Sequence, residues 1–308
     1  MLTGAGYIGA ALLNRLADTS TAAPVVVLEN YYSTSREALA AALPSGTRVI
    51  EGDVAEPGDL ARAFDALGNA ADTCVYQLAA QPSATMAVRE PEITERSNLV
   101  GARVVLEAAR DRGARVVFGS SFRVYGDDLP GQCVDEDAPY GRVGDLSHLS
   151  KVYVEQLGRM MGLRFASVRL GVTYGLSPIM KTAPAFMTVP NLFCQRAADG
   201  EVLHVLEDRP MAFIHVQDAV EALLSGAAVQ ETAPEVFNVF NAAPEVASIG
   251  RVAHTVQQLM QQRGQWARIE GAVSPEPTFQ VRSRLPLEPR HTLQSGLRDV
   301  LDFFLARR

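Results

Sequence analysis

Three features of the chain have the residue types and spacing that chemistry needs. The first is Gly4-Ala5-Gly6-Tyr7-Ile8-Gly9, a Gly-rich turn between a short apolar start and a helical pattern. Glycines there let the backbone approach a pyrophosphate, which rests on the positive N-terminus of the following helix. The second is Glu29, which ends the run VVVLEN about 20 residues on. A carboxylate at the end of a second strand accepts hydrogen bonds from ribose hydroxyls and repels a 2′-phosphate, so the pair favours NAD over NADP. The third is a bias: of 28 basic residues only Lys151 and Lys181 are lysine. Where arginine is the default cation, a lysine marks a place for a compact ammonium, or simply drift.

These residues need a scaffold, and the first 170 residues supply its pattern. Apolar runs at 25–28, 48–51, 74–80, 115–119 and 165–170 fit strands buried on both faces of a parallel sheet. Amphipathic segments at 10–17, 59–67, 92–112 and 147–161 lie between them. This alternation predicts a doubly wound α/β sheet with right-handed crossovers. After Gly171 prolines break the chain into loops. Helices are expected at 190–199, 218–228, 248–263 and 293–307, strands at 213–216 and 235–240, and a loop over the Pro-rich 274–289.

Composition narrows the function classes. The chain has 308 residues, 47% hydrophobic and 20% charged, with a net charge of −7. These are values of a globular protein able to bury a full core. The acidic balance argues against a nucleic-acid partner. No apolar run approaches the roughly 18 residues of a membrane span, and the start MLTGAGYIG has no basic signal region. Cys74, Cys133 and Cys194 form neither a zinc set nor a disulfide framework, which fits a reducing cytoplasm. No His/Cys/Asp cluster has metal-ligand spacing.

TGAGYIG, LENYYSTSR, EGDV, QLAAQPS, NLVGARVVLEAAR, SSFRVYG, RLGVTYG, FIHVQDAVEALL and EPRHTLQSGLRDVL, in that order, resemble the extended short-chain dehydrogenase/reductase family. Its members are NAD(P)-dependent epimerases, dehydratases and reductases, mostly of nucleotide sugars. The resemblance implies a Rossmann-type doubly wound domain over 1–170, with returning segments near 213–241, and a smaller α/β substrate domain over 171–308. It implies that Gly4, Gly6, Tyr7, Ile8 and Gly9 cradle the pyrophosphate. Glu29 and Asn30 would hold the adenosine ribose, and Asp53 and Val54 would flank the adenine. Leu78, Ala79 and Ala80 would line the path to the nicotinamide, and Asn98 would support the active-site helix. Ser121 would hydrogen-bond the reacting oxygen, and Lys151 would hold the nicotinamide ribose. For the substrate it points to Gln81, Ser83, Tyr125, Asn191, Arg209 and Arg282. The family often dimerises through helices near 92–112 and 147–162, which implies a homodimer. Its first strand has several more residues before the glycines, so the native chain is expected to begin upstream of Met1.

One departure matters most. The family places a Tyr acid/base four residues before the Lys, one turn away on the same helix face. Here that position is Ser147, in Ser147-His148-Leu149-Ser150-Lys151. A Ser hydroxyl is too short and too weakly acidic to replace it unaided. Three readings follow. Another residue supplies the proton: His148, whose titration range suits the task but which also fits a helix cap, or Tyr125, Tyr140 or Tyr174. Ser147 works through a bound water. Or the catalyst is lost, leaving a silenced NAD-binding sensor or partner subunit.

The substrate segments depart too. The Arg-Asp expected before FIHV reads Met211-Ala212, with Arg209 two residues earlier. Phe122 and Arg123 replace the Asp-Glu pair of the sugar 4,6-dehydratases, which argues against that reaction. The expectation is an NAD-dependent epimerase or oxidoreductase acting on a hydroxyl or keto group of a sugar-like, nucleotide-linked substrate.

Overall fold

The computed structural model describes residues 1–18, 24–68, 73–129, 131–232, 237–271 and 278–308. The first half runs β1 (Leu2–Thr3), α1 (Tyr7–Ala17), β2 (Val26–Glu29), α2 (Arg36–Ala42), β3 (Arg48–Glu51), α3 (Pro57–Leu67) and β4 (Cys74–Gln77). Next come α4 (Ala84–Arg89), α5 (Pro91–Glu95), a π-helical turn over Arg96–Gly101, α6 (Ala102–Asp111), β5 (Arg115–Ser121), β6 (Cys133–Val134), α7 (Leu146–Met160) and β7 (Phe165–Leu170). The remainder is β8 (Val172–Tyr174), α8 (Val189–Ala198), β9 (Leu203–Val205), β10 (Pro210–His215), α9 (Val216–Thr232) and β11 (Phe237–Ala242). It closes with β12 (Glu245–Ser248), α10 (Ile249–Gln261), β13 (Ile269–Gly271), β14 (Gln280–Val281) and α11 (Leu293–Leu305).

Seven parallel strands form the central sheet in the order β11-β7-β5-β4-β1-β2-β3. Strand order reverses between β1 and β4, and ligands of open α/β sheets bind in the crevice at such a switch point. The apolar runs read as they do because both faces are covered. Val26 and Leu28 pack into one core with Phe64, Val105 and Phe165, while Val27 between them packs into the other with Leu12, Leu13 and Val220. Alternate side chains of a strand point to opposite faces, so a strand covered on both sides is apolar throughout.

The central strand is short but fully paired. Leu2 and Thr3 stand opposite Val27 and Leu28 on one side and Tyr76 and Gln77 on the other. The expected strand over 74–80 ends at Gln77, although the Leu78 N–H still donates to the Thr3 carbonyl at 3.1 Å. The expected helix over 92–112 is one helical run widened by a π turn. A Cβ on Gly101 would lie 2.6 Å from Val54 Cγ2, so this turn sits tightly on the chain after β3.

The second half departs more. The strand expected at 213–216 belongs to a three-stranded sheet of β12, β10 and β8, away from the central sheet. What returns to the first half is α9, packed on α1 and β7, and β11, which pairs with β7. Within the expected loop 274–289, residues 274–277 lie outside the described residues, and β14 pairs with β6. A separate core of Tyr174, Phe193, Phe213, Val256, Leu259 and Leu297 holds α8, α10 and α11 together.

Candidate nucleotide cleft and active site

The Gly-rich turn links β1 to α1 at the switch point. Gly4 has φ +79°, and a Cβ there would lie 2.8 Å from the Ala79 backbone. A Cβ on Gly9 would lie 2.2 Å from the Gly4 carbonyl oxygen. These two glycines are required by the protein's own packing. Gly6 is different: the nearest atom to its would-be Cβ is Ser33 Oγ at 3.7 Å. No side chain caps α1 at Gly6, so its first-turn N–H groups are open to an anion. The cradle at Gly6 is space the protein leaves, and it fits a pyrophosphate.

Glu29 braces this turn. Its carboxylate accepts the Ala5 N–H at 2.7 Å and the Tyr31 N–H at 2.9 Å. Asn30 is exposed and accepts the Tyr32 N–H at 3.1 Å. Asp53 accepts the Ala55 N–H at 2.8 Å and Arg96 Nε at 3.1 Å, with Val54 buried beside it. Ile8 is half-buried on α1. Tyr7 points away from the cradle: its hydroxyl donates to the Gly175 carbonyl at 2.5 Å and accepts Asn191 Nδ2 at 3.2 Å. Asn191 Oδ1 accepts the Gly175 N–H at 3.2 Å. Tyr7 and Asn191, expected at cofactor and substrate respectively, here bind each other and tie the two halves together.

On the other side of the switch, Asn98 grips the chain after β4. Its Oδ1 accepts the Gln81 N–H at 2.7 Å, and its Nδ2 donates to the Gln81 carbonyl at 2.9 Å and to Ser150 Oγ at 3.2 Å. The π turn carries Asn98, and π turns recur at functional sites. Gln81 is buried, with its side chain on Thr94 and Ser83. Ser83 caps α4 and donates to the Ala185 carbonyl at 2.6 Å.

β5 ends at Ser121, whose Oγ accepts the Arg123 N–H at 3.2 Å. Helix α7 packs across this end. Lys151 Nζ donates to the Gly119 carbonyl at 2.9 Å and lies 4.8 Å from the centre of the Phe118 ring. Burial pushes the Lys151 pKa down to about 8, against the pull of Glu155. Ser147 is buried, and its backbone carbonyl accepts the Ser150 hydroxyl at 2.6 Å. His148 is held by Asp145, which sits 2.7 and 2.9 Å from Nδ1 and also accepts the His148 N–H at 3.0 Å. Burial works against the Asp145 charge, but His148 holds its carboxyl below the usual value. Sequence reasoning missed Asp145, although an Asp just before a helix pattern is the usual cap.

It also missed the largest polar cluster. Glu155, one turn beyond Lys151, is fully buried and bonded to Ser120 at 2.6 Å, Ser167 at 2.7 Å, Tyr140 at 2.9 Å and Arg169 at 2.6 Å. Arg169 in turn donates to the Tyr125 hydroxyl at 2.5 Å, and the single Tyr125 O–H faces two acceptors, Asn241 Oδ1 at 2.8 Å and the Asp135 carbonyl at 2.9 Å. Tyr125 and Tyr140 are therefore occupied as framework, and Tyr174 is buried edge-on to His215. The sequence signal was a lone Arg inside the apolar run Phe165–Leu170. Arg209 pairs with Asp127 at 2.9 Å, and the Arg282 side chain is exposed. The fold also gathers His215, Asp218 and His291, which sequence spacing did not suggest. The two imidazoles stack 3.8 Å apart at 18°, so their in-plane lone pairs do not converge on one ion.

A pyrophosphate cradle at a switch point, a carboxylate at the end of β2 and a lysine helix over β5 define an α/β dinucleotide-binding protein. A profile of the NAD dependent epimerase/dehydratase family matches residues 1–239. The chain belongs to that family, and NAD is its cofactor. It is 26% identical to the UDP-N-acetyl-alpha-D-glucosaminuronate decarboxylase of Bacillus cytotoxicus, over 98% of this chain and 95% of that protein. It is 27% identical to UDP-glucuronic acid decarboxylase 3 of Arabidopsis thaliana, over 83% of this chain and 72% of that one. In fold it is similar to the NAD complex of Thermus thermophilus UDP-glucose 4-epimerase (TM-score 0.79, 24% identity, 98% of this chain and 97% of that one). The Brucella ovis UDP-glucose 4-epimerase with NAD is similar too (TM-score 0.83, 19% identity, 99% and 97%). No described helix is long and apolar enough to cross a membrane.

Proposed function

We propose that this chain is an NAD-dependent epimerase or oxidoreductase that works on a hydroxyl or keto carbon of a nucleotide-linked sugar. The observation that carries this is the placement of Gly6, Glu29 and Ser121 at the carboxyl ends of β1, β2 and β5 of one parallel sheet, with Lys151 bonded to Gly119 of β5. The curated relatives, UDP-sugar decarboxylases by name, support the substrate class.

NAD, when bound, supplies the hydride acceptor. The protein residues do the rest. Gly4, Gly6 and Gly9 admit the pyrophosphate, Glu29 and Asn30 meet the adenosine ribose, and Asp53 and Val54 flank the adenine. Leu78 to Ala80 line the nicotinamide end. Ser121 donates to the reacting oxygen, and the Lys151 ammonium, with one N–H spent on Gly119, turns its others to the ribose. Asn98 positions α7 through Ser150. We assign the proton to His148. A carboxylate only accepts, so Asp145 fixes the hydrogen on Nδ1 and leaves Nε2 free as a base. His148→Ala then lowers kcat by about 10²–10⁴-fold, with NAD affinity unchanged by calorimetry. Unchanged turnover in that variant removes His148 and leaves Ser147 with water.

The assembly proposed is a homodimer through α5–α6 and α7. Leu149, Tyr153 and Met160 are exposed at spacings that put them on one stripe of α7, and Val100 is exposed on the adjoining π turn. Sedimentation is expected to give twice the 33.2 kDa chain mass, and Leu149→Glu with Tyr153→Glu to return it to one. A wild-type monomer contradicts this. The free thiols Cys74, Cys133 and Cys194 support a cytoplasmic setting.

A further inference from the structure

The loop between β8 and α8 crosses the open edge of the sheet and is tied to three sides of the cleft. Ser177 Oγ donates to the Tyr7 carbonyl at 2.6 Å, beside the cradle after β1. The Phe186 ring meets Tyr32, after β2, edge-on at 5.9 Å. The Ala185 carbonyl accepts Ser83 Oγ at 2.6 Å, after β4. A fourth tie runs to α8, where Gln195 Nε2 donates to the Thr182 carbonyl at 3.1 Å. Met180 is packed between the sheet core and the C-terminal core. Residue 181 is therefore held over the nucleotide cleft by anchors on both sides.

That residue is one of the two lysines. Lys151 has its carbonyl partner; Lys181 has none. Among the described residues its ammonium makes no hydrogen bond and no ion pair, and the Phe186 ring lies 6.0 Å from Nζ. Burial lowers its pKa to about 8, and no neighbouring carboxylate offsets this. A half-buried cation without a partner is costly for the free protein. In a chain that pairs its cations so freely, that cost points to an anion that arrives with the ligand.

We propose that Lys181 is a phosphate-binding residue, carried on this loop to pair with the diphosphate of a nucleotide bound in the cleft. An ammonium suits this as a compact point charge. The diphosphate belongs either to NAD or to the nucleotide-sugar substrate, and the inference rests on the reading of this cleft as a nucleotide site. Anion binding would also hold the loop down over its ligand.

The test is calorimetric titration of the full-length wild type, Lys181→Met and Lys181→Arg with NAD and, separately, with UDP, alongside thermal melting without ligand. Lys181→Met is expected to weaken one of the two ligands by about 10–100-fold. The ligand weakened identifies the diphosphate, and Lys181→Arg recovers most of the loss. The unliganded Lys181→Met protein melts at or above the wild-type temperature, because an unpaired cation has been removed. Wild-type affinity of Lys181→Met for both ligands overturns the proposal, as does a lower melting point, which makes the lysine structural. A wild type that binds neither NAD nor UDP fails the cleft reading itself, and the proposal falls with it.

Discussion

Glu155→Ala is expected to destabilise the fold by about 3–5 kcal/mol, because it strands a buried Arg169. Both side chains lie inside the protein, at 0% and 4% exposure, and Glu155 is also the acceptor for Ser120, Ser167 and Tyr140. Removing it leaves a guanidinium and three hydroxyls with unmet bonds. Denaturant unfolding measures the loss. The pair as a whole contributes much less, since its charges were taken out of water to form it. Glu155→Leu with Arg169→Leu therefore costs less than Glu155→Ala alone. Additive losses in the double variant contradict this.

Two pH effects share that origin. Burial raises the Glu155 carboxyl, but Arg169 and the hydroxyls hold it below the ordinary carboxylate value. A depressed carboxyl contributes stability above its unfolded pKa and loses it as pH falls through the folded one. Acid unfolding is thus partly the protonation of Glu155. On the alkaline side, Glu155 is the group that pulls the Lys151 pKa upward from the low value that burial imposes. Glu155→Gln moves the fall of kcat above about pH 8 to lower pH. The Lys151 ammonium is the charge lost as pH rises.

The second large effect separates the glycines. Gly9→Ala sets a methyl 2.2 Å from the Gly4 carbonyl oxygen, so α1 has to leave the turn. Overpacking of that kind costs about 1–3 kcal/mol of stability, and NAD binding falls with it. Gly6→Ala meets nothing closer than 3.7 Å. It folds as the wild type does, but its methyl occupies the pyrophosphate cradle. NAD affinity drops about 10–100-fold as charge-assisted N–H bonds to the ligand are lost. Melting and NAD titration of the two variants, side by side, check the contrast. A Gly6→Ala protein with wild-type NAD affinity places the pyrophosphate elsewhere.

The legible parts of the molecule were the local ones. VVVL and, apart from Ser167 and Arg169, FASVRL are apolar because their strands are covered on both faces, and the glycine spacing reports a close approach of β1, α1 and the chain after β4. What escaped was made by long-range contact. Glu155 and Arg169 lie on neighbouring elements and meet only when α7 packs on β7. His215, Asp218 and His291 converge from three segments with no common spacing. The π turn carries Gly101 against Val54 and Asn98 to Gln81, contacts that helix periodicity does not encode. The strand at 213–215 has the right composition for the central sheet, but its pairing partners are β8 and β12. The loss of the Tyr at Ser147 was plain in the sequence; the Asp145 grip on His148 needed the helix start.

The cleft, on the function proposed, oxidises or epimerises a nucleotide-linked sugar with NAD. The direct measurement is to load the protein with NAD, add UDP-sugars and dTDP-sugars one at a time, and follow NADH absorbance together with the sugar's NMR spectrum. At least one of them is expected to be converted, with NADH rising transiently or accumulating, and His148→Ala is expected to abolish the change. A protein that holds NAD firmly, yet neither binds nor turns over any of these sugars, contradicts it and leaves a silent NAD-binding subunit.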